Sequence, residues 1–128
     1  MFEITVEKEF AAAHRLVEYD GNCEKLHGHN WRVELTLKTK ILNSLGLAID
    51  FREARQMLQQ ALKPFDHTCL NDMEIFQDQN PSCELIAQNI FSAINQLIVD
   101  DPTKAHVSVS RVKVWESTGS SVTYWEAD

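Results

Sequence analysis

Phe2, Ile4 and Val6 alternate with Glu3, Thr5 and Glu7, the period of a strand with one buried face. Trp31, Val33, Leu35 and Leu37 alternate with Arg32, Glu34, Thr36 and Lys38 in the same way, and residues 10–16 read as a further stretch of strand. The period then changes. Asp50 stands as an N-cap with Glu53 three residues on, close to a capping box. Phe51, Ala54, Met57, Leu58, Ala61 and Leu62 follow at helical spacing, and Pro64 ends the run. A second helix is expected to begin near Asn80-Pro81-Ser82, with the proline in its first turn. Its apolar face comprises Leu85, Ile86, Ile90, Ile94, Leu97 and Ile98, and it ends before Asp100-Asp101-Pro102. The last third returns to strands. Val107 and Val109 are at odd positions, Val112 and Val114 at even ones, so a bulge near Ser110 and Arg111 is needed to keep one face buried. Val122 and Tyr124 mark a final strand. The order is ββααββ, an α+β chain.

Composition narrows the class. At 128 residues, 44% hydrophobic and 24% charged, the chain is expected to form one soluble globular domain over residues 1–128. No apolar run approaches the roughly 20 residues that span a bilayer, and the alternating, acid-bearing start Met1-Phe2-Glu3-Ile4 does not read as a signal peptide. Three cysteines without a regular framework suggest free thiols in a reducing cytoplasm. A net charge of −7 argues against a general nucleic-acid binder; a small anionic substrate held by a local cluster remains compatible with it. Sheet edges left open by four strands and two helices point to association between copies.

The chemistry concentrates in Cys23-Glu24-Lys25-Leu26-His27-Gly28-His29. On a strand, His27 and His29 share a face, and their parity matches the apolar series from Trp31 to Leu37, so both aim inward at the end of a buried sheet face. With His14 from the first strand region they make three imidazoles with no obvious fourth protein ligand, the pattern of a zinc site that keeps a position open. Cys23 could instead close that site as a structural fourth ligand. A second cluster is Asp66-His67, followed by Cys69 and Asn71. Adjacent side chains usually diverge, so the pair gains meaning only if folding brings it near a metal and a thiol. His106 precedes a strand and reads as a surface residue, while Cys69 and Cys83 read as packed residues.

Several dispersed motifs together resemble the 6-pyruvoyl-tetrahydropterin synthase and 6-carboxy-tetrahydropterin synthase family of the tunnelling fold. They are Ala12-Ala13-His14-Arg15-Leu16, Cys23-x3-His27-Gly28-His29, Gly46-Leu47-Ala48-Ile49-Asp50-Phe51, Asp66-His67-x2-Leu70-Asn71, Asn80-Pro81-Ser82-x-Glu84 and Val114-x-Glu116. The short Cys-x3-His-x-His spacing looks like the bacterial 6-carboxy branch. The resemblance implies a four-stranded antiparallel sheet with two helices on one face, closing into barrels as trimers that stack into homohexamers. It implies Zn2+ on His14, His27 and His29, Cys23 as general base, and Asp66 with His67 as acid/base partners. Glu116 is then the carboxylate that holds the pterin ring, through two parallel hydrogen bonds. Lys25 becomes a candidate for the triphosphate. The implied reaction converts 7,8-dihydroneopterin triphosphate to 6-carboxy-tetrahydropterin, acetaldehyde and triphosphate, in the synthesis of 7-deazaguanine bases such as queuosine. A pyruvoyl-type activity is the nearest alternative. Ser82, Cys83 and Ser117 depart from the residues common in the family. Two other classes are weighed against this one. A cupin would fit His27-x-His29-x4-Glu34 but lacks its glycine and its second motif. A non-catalytic binding module with a closed zinc site leaves Asp66-His67 and Glu116 without a purpose.

Overall fold

The two long strands carry the molecule. In the computed structural model, which describes residues 1–17 and 25–127, β1 (Phe2–His14) and β2 (His27–Thr39) pair antiparallel along their whole length, from Phe2 opposite Thr39 to His14 opposite His27. Helix α1 (Phe51–Leu62) follows, then a short β3 (Thr68–Cys69), helix α2 (Cys83–Val99), β4 (Ser108–Ser117) and β5 (Ser120–Tyr124). The sheet order is β3-β1-β2-β4-β5. The architecture is α+β with both helices packed on one face of the sheet, as the alternation required. One strand exceeds the expected four: β3 joins the β1 edge in parallel at Ala12 and Ala13. It is two residues long, too short to leave a periodic signal.

Parity is respected throughout. Phe10, Trp31, Val33, Leu35, Val112 and Val114 are buried beneath the helices. The expected bulge falls at Ser110: Thr36 faces Arg111 while Leu37 faces Val109, so β4 carries the extra residue and its valines stay inside across the change of parity.

The helix boundaries have chemical causes. Asp50 Oδ1 accepts from Arg52 N at 2.8 Å, capping α1, and the Arg52 guanidinium closes back on the same carboxylate, which holds it well below the usual range, at about 2. Phe51 is an exception to the expected apolar face; as the first helical residue it projects outward and is 55% exposed. The cap of α2 is Ser82, whose Oγ accepts from Leu85 N at 3.2 Å, so Pro81 precedes the cap instead of lying in the first turn. That shift matters, because it leaves the Pro81 carbonyl free to serve a side chain. Before α1 the chain turns at Gly46, where φ is 78°, a conformation that suits glycine.

Ile90, at the centre of α2, is fully buried against the sheet. Ile90→Ala should lower the free energy of unfolding by about 2–5 kcal/mol, as measured by denaturant titration. A loss below about 1 kcal/mol would mean that this helix–sheet contact is loosely packed. Among the described residues no helix is long and apolar enough to cross a membrane.

Candidate metal centre

Register brings the histidines together. His14 ends β1 directly opposite His27, which opens β2, and His29 lies one inward-facing position along, opposite Ala12. The ring centroids are 4.7 Å apart for His14 and His27, 4.8 Å for His27 and His29, and 5.5 Å for His14 and His29. Trp31, next on the same face, closes the inner wall: its ring meets His14 at 4.9 Å and His29 at 5.3 Å, and its indole N–H donates to Ala12 O at 3.1 Å. Glu116, near the end of β4, completes the group, with Oε1 3.0 Å from His29 Nε2 and 3.8 Å from His14 Nε2.

The ring nitrogens are sorted by their partners. His14 Nδ1 lies 2.8 Å from Pro81 O and His27 Nδ1 lies 2.9 Å from Lys25 O. A carbonyl can only accept, so both Nδ1 atoms carry the proton when these rings are neutral, leaving the Nε2 lone pairs bare. Among the described residues, the buried Nε2 atoms of His14 and His29 have no hydrogen-bond partner, and Glu116 Oε1 approaches His29 Nε2 to 3.0 Å as an opposite charge. Buried acceptors without a donor are costly. A cation bound by the lone pairs removes that cost, and ligand atoms of His14, His27, His29 and Glu116 all lie within 4.8 Å of one another. Burial lowers the His29 pKa, and the neighbouring imidazoles add to the effect against the pull of Glu116; the ring is thereby kept in the neutral form that binds metals. Backbone tethers on Nδ1 are the usual second shell of such ligands. The residues fit a metal ion.

The family resemblance gives Glu116 to the substrate's ring, apart from the metal. The structure places its carboxylate among the histidines and also on the wall of a cleft of about 470 Å³, lined further by His29, Asn30, Arg32, Trp115 and Ser117. Nothing in the one-dimensional spacing joins residue 116 to residues 14–29; only the β2–β4 pairing does. Lys25 contributes its carbonyl to His27, while its side chain is exposed. Cys23 lies outside the described residues.

Asp66 and His67 do meet, against the expectation for neighbours. His67 adopts φ 58°, the left-handed region, which turns its ring back so that Nδ1 lies 3.0 Å from Asp66 Oδ2. The turn is fastened to β1: Ala11 N donates to Asp66 Oδ1 at 2.9 Å, and His67 N donates to Ala11 O. That backbone donor, with His67 in second place, holds the Asp66 carboxyl below its usual range. The pair does not reach the three histidines: among the described residues no hydrogen bond or ion pair links them, and the His67 side chain is 82% exposed. The other thiols are structural. Cys83 is buried, donates to Val114 O at 3.4 Å and is pushed up to about 12 by burial, so it holds its proton; Cys69 lies half-buried in β3. His106 is half-buried, not a free surface residue, with Nε2 2.8 Å from Ala48 O.

Comparison with known proteins agrees with this geometry. The family model described as 6-pyruvoyl tetrahydropterin synthase matches residues 3–127. Among curated relatives, the 6-carboxy-5,6,7,8-tetrahydropterin synthase of Haemophilus influenzae is 28% identical, aligned across 98% of this chain and 100% of its own. The enzyme of the same name from Synechocystis is 32% identical over 75% of this chain and 77% of its own. Among solved structures, the 6-pyruvoyl tetrahydropterin synthase of Caenorhabditis elegans superposes with a TM-score of 0.77 at 21% identity, covering 99% of this chain and 98% of that one. A family match over nearly the whole chain, spanning the strands that build the histidine cluster, settles the assignment: the chain belongs to the 6-pyruvoyl tetrahydropterin synthase family.

Proposed function

We propose that the protein is a zinc-dependent pterin lyase converting 7,8-dihydroneopterin triphosphate to 6-carboxy-5,6,7,8-tetrahydropterin, with release of acetaldehyde and triphosphate. The observation that carries the metal is the convergence of bare Nε2 lone pairs, with the Nδ1 atoms of His14 and His27 occupied by carbonyls. The curated relatives named 6-carboxy-5,6,7,8-tetrahydropterin synthase support the reaction. We further propose that this reaction feeds 7-deazaguanine synthesis, as for queuosine, in the cytoplasm.

His14, His27 and His29 hold the ion, and zinc bound there would polarise side-chain oxygens of the substrate. Cys23 is assigned from the family resemblance as the base that takes a proton from the substrate side chain, a task that requires its thiolate form. His67 exchanges protons at its ring nitrogens, and Asp66, 3.0 Å from Nδ1, fixes the orientation of the ring. Glu116 borders both the histidines and the cleft, so its carboxylate can accept from donors of the substrate ring while its charge favours a cation beside it. Lys25 is available to the triphosphate from the rim.

Incubation with dihydroneopterin triphosphate and zinc, with products identified by mass spectrometry, tests this reading. The expected products are 6-carboxytetrahydropterin and acetaldehyde. A 6-pyruvoyl product would move the chain to the other activity of its family, and no turnover with zinc bound would favour a binding module.

The exposed Asp66–His67 pair is supplied to a metal centre that it does not reach within its own chain, and β3 and β5 are edge strands. We therefore propose a homohexamer built as a dimer of trimers, with each active site drawing residues from more than one chain. Native mass spectrometry should give about six times the 14.7 kDa chain mass; a stable, fully active monomer would refute it.

A further inference from the structure

Beyond His14 the chain runs out of the β1–β2 ladder, and its peptide groups are paired by side chains instead of a strand. Arg15 N donates to Asn71 Oδ1 at 2.9 Å, and Asn71 Nδ2 donates back to Arg15 O at 2.9 Å. Two residues on, Val17 N donates to Asn80 Oδ1 at 2.7 Å, and Asn80 Nδ2 donates to Val17 O at 3.0 Å. A carboxamide offers the same acceptor and donor as a peptide group, so each asparagine supplies the reciprocal pair that a neighbouring strand would give. Asparagines in turns ordinarily bond to backbone close by. These reach across 56 and 63 residues of sequence.

The two donors sit at informative places. Asn71 follows the Asp66–His67 turn, and its own carbonyl, with that of Met73, is held by Gln77 Nε2 at 3.0 and 2.8 Å. Asn80 directly precedes Pro81, whose carbonyl lies 2.8 Å from His14 Nδ1. The dipeptide Asn80-Pro81 thus grips Val17 through a side chain and His14 through a carbonyl.

Resting on the metal reading above, we propose that Asn80, with Asn71 beside it, is a positioning residue of the metal centre, clamping the end of β1 to the start of α2 so that His14 keeps its Nδ1 on Pro81 and its Nε2 toward Glu116. His14 itself stays in the β1–β2 ladder; without the clamp it is the start of α2, with the Pro81 carbonyl, that is no longer fastened to the chain beyond β1, and the ring loses the partner that fixes its aim. A direct partner of a ligating ring, as the Pro81 carbonyl is here, is worth about 10- to 100-fold in metal affinity, which bounds the effect of a residue acting through it.

The test is zinc affinity of the full chain, by competition with a chromophoric chelator, for wild type, Asn80→Ala, Asn80→Asp and Asn71→Ala, alongside thermal melting without metal and amide exchange at Val17. Asn80→Ala should weaken zinc binding by more than about threefold, with the roughly 100-fold of a direct partner as its upper bound, speed exchange of the Val17 amide, and leave the metal-free melting temperature near wild type. Asn71→Ala should act in the same direction but less strongly. Should the alanine variant fail to fold, Asn80→Asp decides, since it keeps the acceptor for Val17 N–H while losing the donor, and it should bind zinc less tightly than wild type. Zinc affinity within about twofold of wild type, under half a kcal/mol, in a folded Asn80 variant overturns the proposal. Wild-type protein that takes up no zinc overturns the metal reading and this role together, so the two failures are told apart.

Discussion

His27→Ala or His29→Ala purified from zinc-containing medium will carry almost no zinc, against about one ion per wild-type chain, while Cys23→Ala will keep its zinc and lose turnover. The histidines are arranged to act jointly. His14 and His27 are aimed by carbonyls on Nδ1, and the Nε2 atoms of His14 and His29 are buried without a partner. Removing one imidazole leaves two, one short of the three protein ligands of a catalytic ion, and Glu116 makes up the number only if it gives up its place beside the cleft. His27 and His29 are the cleaner positions, since both are only partly buried, whereas His14 is 2% exposed and its loss would also open the core. Elemental analysis reads the result. If zinc leaves with the Cys23 thiol, the site is a closed structural one with a cysteine ligand; if it survives both histidine changes, the ion is held elsewhere.

What could be read from the residues alone, and what could not, follows from the range of each interaction. Strand parity is local, so the inward aim of His27 and His29 was legible from their phase with Trp31 and Val33, and the bulge at Ser110 from the valines on either side. Helix caps are local too, and Asp50 stands where its spacing placed it. The placement of Glu116 depends on the β2–β4 register, and the Asn71 and Asn80 clamps on contacts across more than fifty residues, for which periodicity carries no signal. The Asp66–His67 contact was hidden for another reason: neighbouring side chains meet only because His67 takes a left-handed φ, which an exposed histidine in a turn does not announce. Pro81 precedes the Ser82 cap instead of lying in the first turn of α2, a difference that helix periodicity does not register and that sets the carbonyl holding His14.

Glu116→Gln should lower kcat/KM by about 30- to 1,000-fold, or about 2–4 kcal/mol, by replacing a charged acceptor with an amide that also presents a donor. The second consequence separates two roles for the same carboxylate. As a ring anchor standing apart from the metal, Glu116 would leave zinc affinity untouched. Its Oε1 is instead 3.0 Å from His29 Nε2 and 3.8 Å from His14 Nε2, in a partly desolvated site where a negative charge at that range favours a cation. Glu116→Gln should therefore also weaken zinc by about tenfold or more, or about 1.4 kcal/mol, while the three imidazoles still saturate at about one ion per chain when zinc is in excess. Chelator competition and steady-state kinetics on the same zinc-saturated preparation distinguish the outcomes. Reduced kcat/KM with wild-type zinc affinity assigns Glu116 to the substrate alone. Weaker zinc with kcat/KM restored at saturating metal assigns it to the ion alone. A kcat/KM and an affinity both within about twofold of wild type, under half a kcal/mol each, would make it a solvated strand-end residue and leave the lone pairs of His14 and His29 to the metal without its help.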